Sequence, residues 1–386
     1  MHNLQKPNIK NLLLVFVLAC MCCQTTYNQD QKQNAPPRFQ ECWVYPTDKL
    51  TDLPFASDND SNIYSALLDG KLISINGFSG EKRWESDLGG GILSAPLVDA
   101  YNIYIAAGNI NERILKGWRN NDTLTLRSIN KATGVTQWKA EFTNAVLPIE
   151  KVYLFSFENY LIFVGDNGDI YSIDKTNGRI TWKKSFNTKL SSEPFVKTDR
   201  LVMATLSNKV IGLSVYDGRL IENLHFPVPL TTIVESPNEN NFILGDGKGL
   251  LISYNKKLKT QDWKFRNGGE ISEITFTRKG LIVTSFDNYI YLIAETNGRL
   301  LWKKRLSGRL LDKPQVFGNH VIVAANDDST AAVLELDGGK LVNRVILEKD
   351  NYFLGDSMRT GNSIVYATFK GILSFSGSDG GGCLTK

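Results

Sequence analysis

Histidine is almost absent from this chain: three in 386 residues, at His2, His225 and His320. Side chains so few and so scattered do not make a metal set, and His225 and His320 read as surface or edge positions. Cysteine is scarce too, with Cys20, Cys22 and Cys23 crowded near the start and only Cys42 and Cys383 beyond them. No G-x-S-x-G elbow, phosphate-cradling glycine loop or nominable Ser/His/Asp set occurs, so the common hydrolase and nucleotide chemistries lack their residues. An excess of charge is missing as well: 44 basic against 40 acidic residues leave a formal +4, and no basic run exceeds Lys303, Lys304 and Arg305. That balance describes a solvated surface and gives a nucleic-acid role no support. Beyond the N-terminal segment no stretch keeps the apolar period of a helix. What remains is 42% hydrophobic and 22% charged, enough for a large core and unlike a disordered or many-span membrane chain.

The apolar run Leu12 to Ala19 follows a polar start with Lys6 and Lys10 and is too short to cross a bilayer, the layout of a secretory signal peptide. It ends in Val17-Leu18-Ala19-Cys20, which resembles a bacterial lipobox with Cys20 as the lipidated first residue; an ordinary signal peptide cut nearby is the alternative. Met21, not aspartate, follows Cys20, which favours outer-membrane over inner-membrane placement. Residues 24–38 are mostly Gln, Asn, Thr and Pro and cannot bury enough surface to fold. The expected division is a signal peptide over 1–19, a lipid-anchored flexible tether over 20–38 and a folded body over 39–386.

In that body one unit recurs about every forty residues. YSIDKTNGRITW, ending at Trp182, has the same order as ISINGFSGEKRW (Trp84), RSINKATGVTQW (Trp138), YLIAETNGRLLW (Trp302) and, more loosely, ISYNKKLKTQDW (Trp263). Two further copies keep the turn but carry Glu222 and Asn343 where the tryptophan would stand. The turn positions are Gly80, Gly134, Gly178, Gly218, Lys259, Gly298 and Gly339, with an eighth near Ser378 to Gly380. Ahead of each unit stands a second hairpin signal: Asp69-Gly70, Asn167-Gly168, Asp246-Gly247, Asp287-Asn288 or Lys370-Gly371. Asn-Gly and Asp-Gly pairs predict turns with positive φ at both central residues. Before these lie an apolar strand and, further upstream, a short strand with a proline near its middle, as at Pro96, Pro194 and Pro314.

Four strands in each unit of this length make the blade of an all-β propeller, and a closed ring leaves few exposed edges. The last copy, GILSFSGSDGG, has no tryptophan strand after it, whereas Trp43 has no strands before it. An eight-bladed propeller of four-stranded antiparallel blades, closed by pairing of the N- and C-terminal strands, is therefore expected.

The repeats resemble those of the pyrroloquinoline-quinone-like propellers, and among them the lipoproteins that serve outer-membrane β-barrel assembly. The likeness runs from Phe39 to Gly382 on the pattern (A/S)-(I/L)-(D/N)-x-x-(T/S)-G-x-x-x-W. It implies that Trp43, Trp84, Trp138, Trp182, Trp263 and Trp302 dock between neighbouring blades as structural residues. It also implies a non-catalytic, periplasm-facing scaffold, anchored to the outer membrane through Cys20, that binds other proteins and assists barrel assembly. No cofactor, no metal and no nucleic acid is expected, and the ring is expected to be monomeric. The rival reading is an oxidoreductase-like propeller that binds a quinone or another small ligand in its central channel; an unrelated extracytoplasmic partner is a third. Quinone dehydrogenases of this fold use calcium, an aspartate base and a vicinal disulfide, but the adjacent cysteines here, Cys22 and Cys23, lie in the tether. Asp99, Asp166, Asp246, Asp287 and Asp327 follow the repeat, as turn residues do.

Two features stand outside the repeat. An insertion over 109–122 holds Ile114, Leu115 and Trp118, either as a partner-binding loop or folded back on its blade. Cys42 and Cys383 would be neighbours at the ring closure, either bridged or as two free thiols beside a glycine-rich end.

Overall fold

The computed structural model describes residues 38–58, 62–108, 123–142, 149–310, 313–325, 328–361 and 363–378. They form eight antiparallel sheets, one per blade of an eight-bladed propeller. In chain order the blades are 56–87, 91–142, 152–185, 195–225, 230–266, 271–305 and 315–346, numbered 1 to 7, and blade 8 joins 353–378 to 38–46. First strands touch between blades 1 and 2, 2 and 3, 5 and 6, and 7 and 8, which sets them on the inner side of the ring. In blade 8 the strand Arg38–Pro46 takes the fourth place, running antiparallel to Gly371–Ser378 with Trp43 opposite Ser374.

The burial pattern follows from this geometry. Middle strands have a blade on each side, so Asn62–Ala66 and Gly280–Ser285 are buried at every position. Fourth strands face water on one side and alternate, as Lys82–Asp87, Ile180–Ser185 and Leu300–Arg305 do. The core is consequently divided among the seams. The cluster of Ile162, Val164, Leu201 and Leu213 fills the space between blades 3 and 4, and Ile364, Phe353, Val333 and Phe317 that between blades 7 and 8.

Two local expectations are corrected. The hairpin pairs do not take positive φ at both residues: Gly70, Gly168 and Asn288 do (φ 81, 86 and 67), while Asp69, Asn167 and Asp287 do not. Gly70 N donates to Leu67 O at 3.0 Å, and in blade 5 positive φ falls at Gly249 rather than Gly247. These are longer loops, a first turn closed by one left-handed residue, which also suit twisted strands. The prolines, for their part, precede their strands instead of sitting within them: Leu97–Val98, Phe195–Lys197 and Gln315–Phe317 begin just after Pro96, Pro194 and Pro314. Proline has no N–H for a ladder, so the pairing starts beyond it. In blade 2 the first strand is broken into Gly91–Ile92 and Leu97–Val98, both paired with Asn102–Gly108.

Candidate functional site

The seams carry the repeat's chemistry. In all eight blades the pairing of the third and fourth strands skips one residue, immediately before the tryptophan position: Arg83, Gln137, Thr181, Ile221, Asp262, Leu301, Val342 and Cys42. Such a bulge bends the strand and re-aims the next side chain. Here it sends the indole to the turn of the following blade. Trp43 Nε1 donates to Gly77 O at 2.8 Å, Trp84 to Lys131 O at 3.0 Å and Trp138 to Lys175 O at 2.8 Å. Trp182 reaches Val215 O at 3.1 Å, while Trp263 and Trp302 reach Glu295 O and Leu336 O at 2.8 Å each. Each indole also lies flat on the turn glycine, so that a Cβ on Gly178 would stand 2.6 Å from Trp138 Cε3 and one on Gly339 2.6 Å from Trp302 Cδ2. Those glycines have φ of 74 and 65, and both their shape and their conformation require the absence of a side chain.

The seam between blades 4 and 5 departs from this in a coordinated way. Glu222 holds the tryptophan position, and the turn it faces has Lys259 at φ 56 where the other described turns of this kind have glycine. Ion pairing replaces the stack. Arg200 Nη1 donates to Glu222 Oε1 at 2.7 Å, and Arg200 and Lys256 both donate to Glu235, whose side chain is 1% exposed. Arg200 and Lys256 lie over the Phe242 ring, 5.9 and 5.1 Å from its centre. Burial pushes the Glu222 carboxyl up, against the pull of the Arg200 and Lys256 cations. Sequence reading found Glu222 as an exception but missed Arg200, Glu235 and Lys256; the one signal was that tryptophan and turn glycine disappear together.

First strands and the loops leading into them line two neighbouring hollows of about 390 and 260 Å³ that share Glu193 and Pro194. Lys151 Nζ pairs with Glu193 Oε1 at 2.9 Å, and Glu273 and Lys313 stand further round the lining. Burial raises the Glu273 carboxyl to about 7, with Lys313 opposing. With Lys197 and Glu235 also in the lining, three lysines and three glutamates leave this surface near neutral. The donor set does not fit a calcium–quinone centre: among the described residues no three His, Cys, Asp or Glu side chains converge, and the adjacent cysteines lie ahead of residue 38.

The recurrent acids bind N–H and O–H groups of their own turn or of a neighbouring segment. Asp99 accepts from Tyr101 N, Asn102 N and Tyr104 Oη, and Asp246 from Lys248 N and Leu250 N. Asp287 accepts from Gly268 N, Tyr289 N and Tyr291 Oη, and Asp166 from Glu150 N. Asp327, Cys20, expected from the sequence to carry the lipid, the 109–122 insertion with Ile114, Leu115 and Trp118, and Cys383 lie outside the described residues. Cys42 is disulfide-bonded. The loop faces expose large apolar side chains, Leu68, Leu206 and Phe369 among the turns between second and third strands and Tyr101, Val135 and Leu258 among the others.

A family model described as outer membrane protein assembly factor BamB matches residues 34–152, 122–221 and 247–343. Outer membrane protein assembly factor BamB of Moranella endobia is 21% identical over 287 residues, 71% of this chain and 70% of that protein. Tetrathionate hydrolase of Acidithiobacillus ferrooxidans is 20% identical over 256 residues, which are 64% of this chain but 36% of that enzyme. Among solved structures, BamB from Moraxella catarrhalis has a TM-score of 0.68 at 13% identity and covers 88% of this chain and 100% of its own, a likeness of fold. With its tryptophan-stacked seams and a family match over most of its blades, the chain belongs to the BamB family of PQQ-like β-propellers.

Proposed function

We propose that this protein is a non-catalytic scaffold, lipid-anchored through Cys20 to the outer membrane and facing the periplasm, that binds other proteins during outer-membrane β-barrel assembly. The observation that carries the reading is the family match, which spans both halves of the ring. The geometry supplies means of binding. Apolar side chains stand out on both loop faces, and among the described residues each fourth strand ends its sheet, an edge that could add a strand from a partner. Most of these edges are guarded by charge, as in Lys82–Asp87, but Leu341–Ile346 of blade 7 carries one charged side chain and exposes Ile346 at 69%. In the channel Lys151 and Glu193 are engaged with each other, an arrangement suited to holding blades together.

Affinity purification of the intact protein from membranes, with mass spectrometry of what accompanies it, tests this reading. Recovery of the barrel-assembly machinery is expected. A preparation that brings none of it and instead breaks down tetrathionate, or carries an absorbing quinone with dye-linked dehydrogenase activity, would replace the scaffold with an enzyme.

A further inference from the structure

We propose that the cleft between blades 6 and 7 binds a small organic anion with an apolar body. The cleft has a volume of about 430 Å³, within the range of small-molecule sites. Its existence traces to one residue. The third-strand position just before the partner of the tryptophan is Ile73, Arg127, Tyr171, Ile211, Ile252, Tyr291 and Leu373 in the other blades, and Ala332 in blade 7. Where the neighbours place four or more side-chain carbons, blade 7 places a methyl group, and the space left over is the floor of the cleft. Val323, Ala325 and Leu341 complete that floor with apolar surface.

The rim is cationic. Lys304 and Arg305 come from the fourth strand of blade 6 and Arg344 from that of blade 7. None of the three forms an ion pair or a side-chain hydrogen bond among the described residues. Lys184, the counterpart of Lys304 in blade 3, is by contrast tied to Gly218 O at 3.0 Å. Among the described lining residues Asp328 is the only carboxylate, and its oxygens are already taken by Ser307 Oγ, Thr330 N and Thr330 Oγ1. Among the described lining residues, three cations against one engaged carboxylate leave an excess of two positive charges over an apolar floor. An ion without an apolar part would leave the floor wet, and a neutral apolar ligand would leave the cations unanswered; an amphipathic carboxylate, sulfonate or phosphate satisfies both.

The test is a fluorescence titration of the purified protein with 8-anilino-1-naphthalenesulfonate at low salt, followed by displacement with decanoate. One saturable site that decanoate empties is expected. Ala332→Leu, which installs the residue type of blade 8, should abolish it, and the double variant K304Q/R344Q should weaken it about tenfold. Thermal melts accompany each variant, and the exposed charge variants keep the test decisive if Ala332→Leu disturbs packing. Vesicles of phosphatidylglycerol distinguish a lipid headgroup from a free anion: dye displaced by vesicles and not by decanoate would overturn the free-ligand assignment. Dye binding that does not saturate, or that survives both Ala332→Leu and K304Q/R344Q, would overturn the site.

Discussion

Gly178→Ala is the sharpest perturbation of the seams. The added Cβ would lie 2.6 Å from Trp138 Cε3 and 3.0 Å from two further indole atoms, and the residue would have to hold φ at 74. The left-handed backbone alone costs an alanine about 1–2 kcal/mol. Relief of the clash moves the indole off its seat, which breaks the 2.8 Å bond from Trp138 Nε1 to Lys175 O, worth about 1 kcal/mol. It also forfeits part of the about 3–5 kcal/mol that a large packed aromatic supplies. A total of about 3 kcal/mol or more is expected in urea unfolding. Gly361→Ala is the matched control, because Gly361 has φ 56 with nothing within 4 Å of the added carbon; it should lose only the backbone cost. In a double-mutant cycle the Gly178→Ala penalty should shrink once Trp138→Ala has removed the ring it strikes. Equal losses at Gly178 and Gly361, or strict additivity with Trp138→Ala, would refute the account of the docked indole.

Trp182→Ala should lower stability by about 3 kcal/mol, measured by thermal melt, and Trp118→Ala by much less; small and equal losses would count against the seam role of Trp182. Burial holds the Glu273 carboxyl at about 7 while the unfolded chain releases that proton near 4.5. The folded state therefore keeps a proton that the unfolded state loses, so stability should fall as pH rises from 4.5 to 7 and level off above. Glu273→Gln should remove that slope, worth up to about 3 kcal/mol, and a pH series of melts that is identical for both proteins contradicts the shift. We expect the bridge of Cys42 to run to Cys383, closing the ring across the chain ends. Peptide mapping without reduction should find that linkage, and Cys383→Ser should cost at most about 4–5 kcal/mol; a Cys42 peptide joined to Cys20, Cys22 or Cys23 would assign the bridge to the segment ahead of residue 38 instead.

The blade count was legible because one local pattern carries two pieces of the seam, the turn glycine of one blade and the tryptophan that covers the glycine of the next. Pairing of Trp43 with the last hairpin followed from a missing strand at each end. The turn type was misjudged because Asp-Gly dipeptides also close longer loops, and loop length depends on strand register. Arg200, Glu222, Glu235 and Lys256 were illegible as a group: they come from four strands and turns in two blades, and only the ring brings them within bonding distance. The channel position of Glu273 was hidden for the same reason, since its burial depends on first strands distant in sequence. The cleft at Ala332 becomes visible only when eight registers are laid side by side.

Depletion of this protein in its source organism, followed by quantification of folded barrel proteins in the outer membrane by heat-modifiable mobility, tests the assembly role most directly. The account predicts a general fall in folded barrels, restored by the wild-type chain and not by a Cys20→Ser variant that no longer partitions with membranes. Unchanged barrel levels after depletion, with loss of a sulfur-compound or quinone-linked activity, would contradict it.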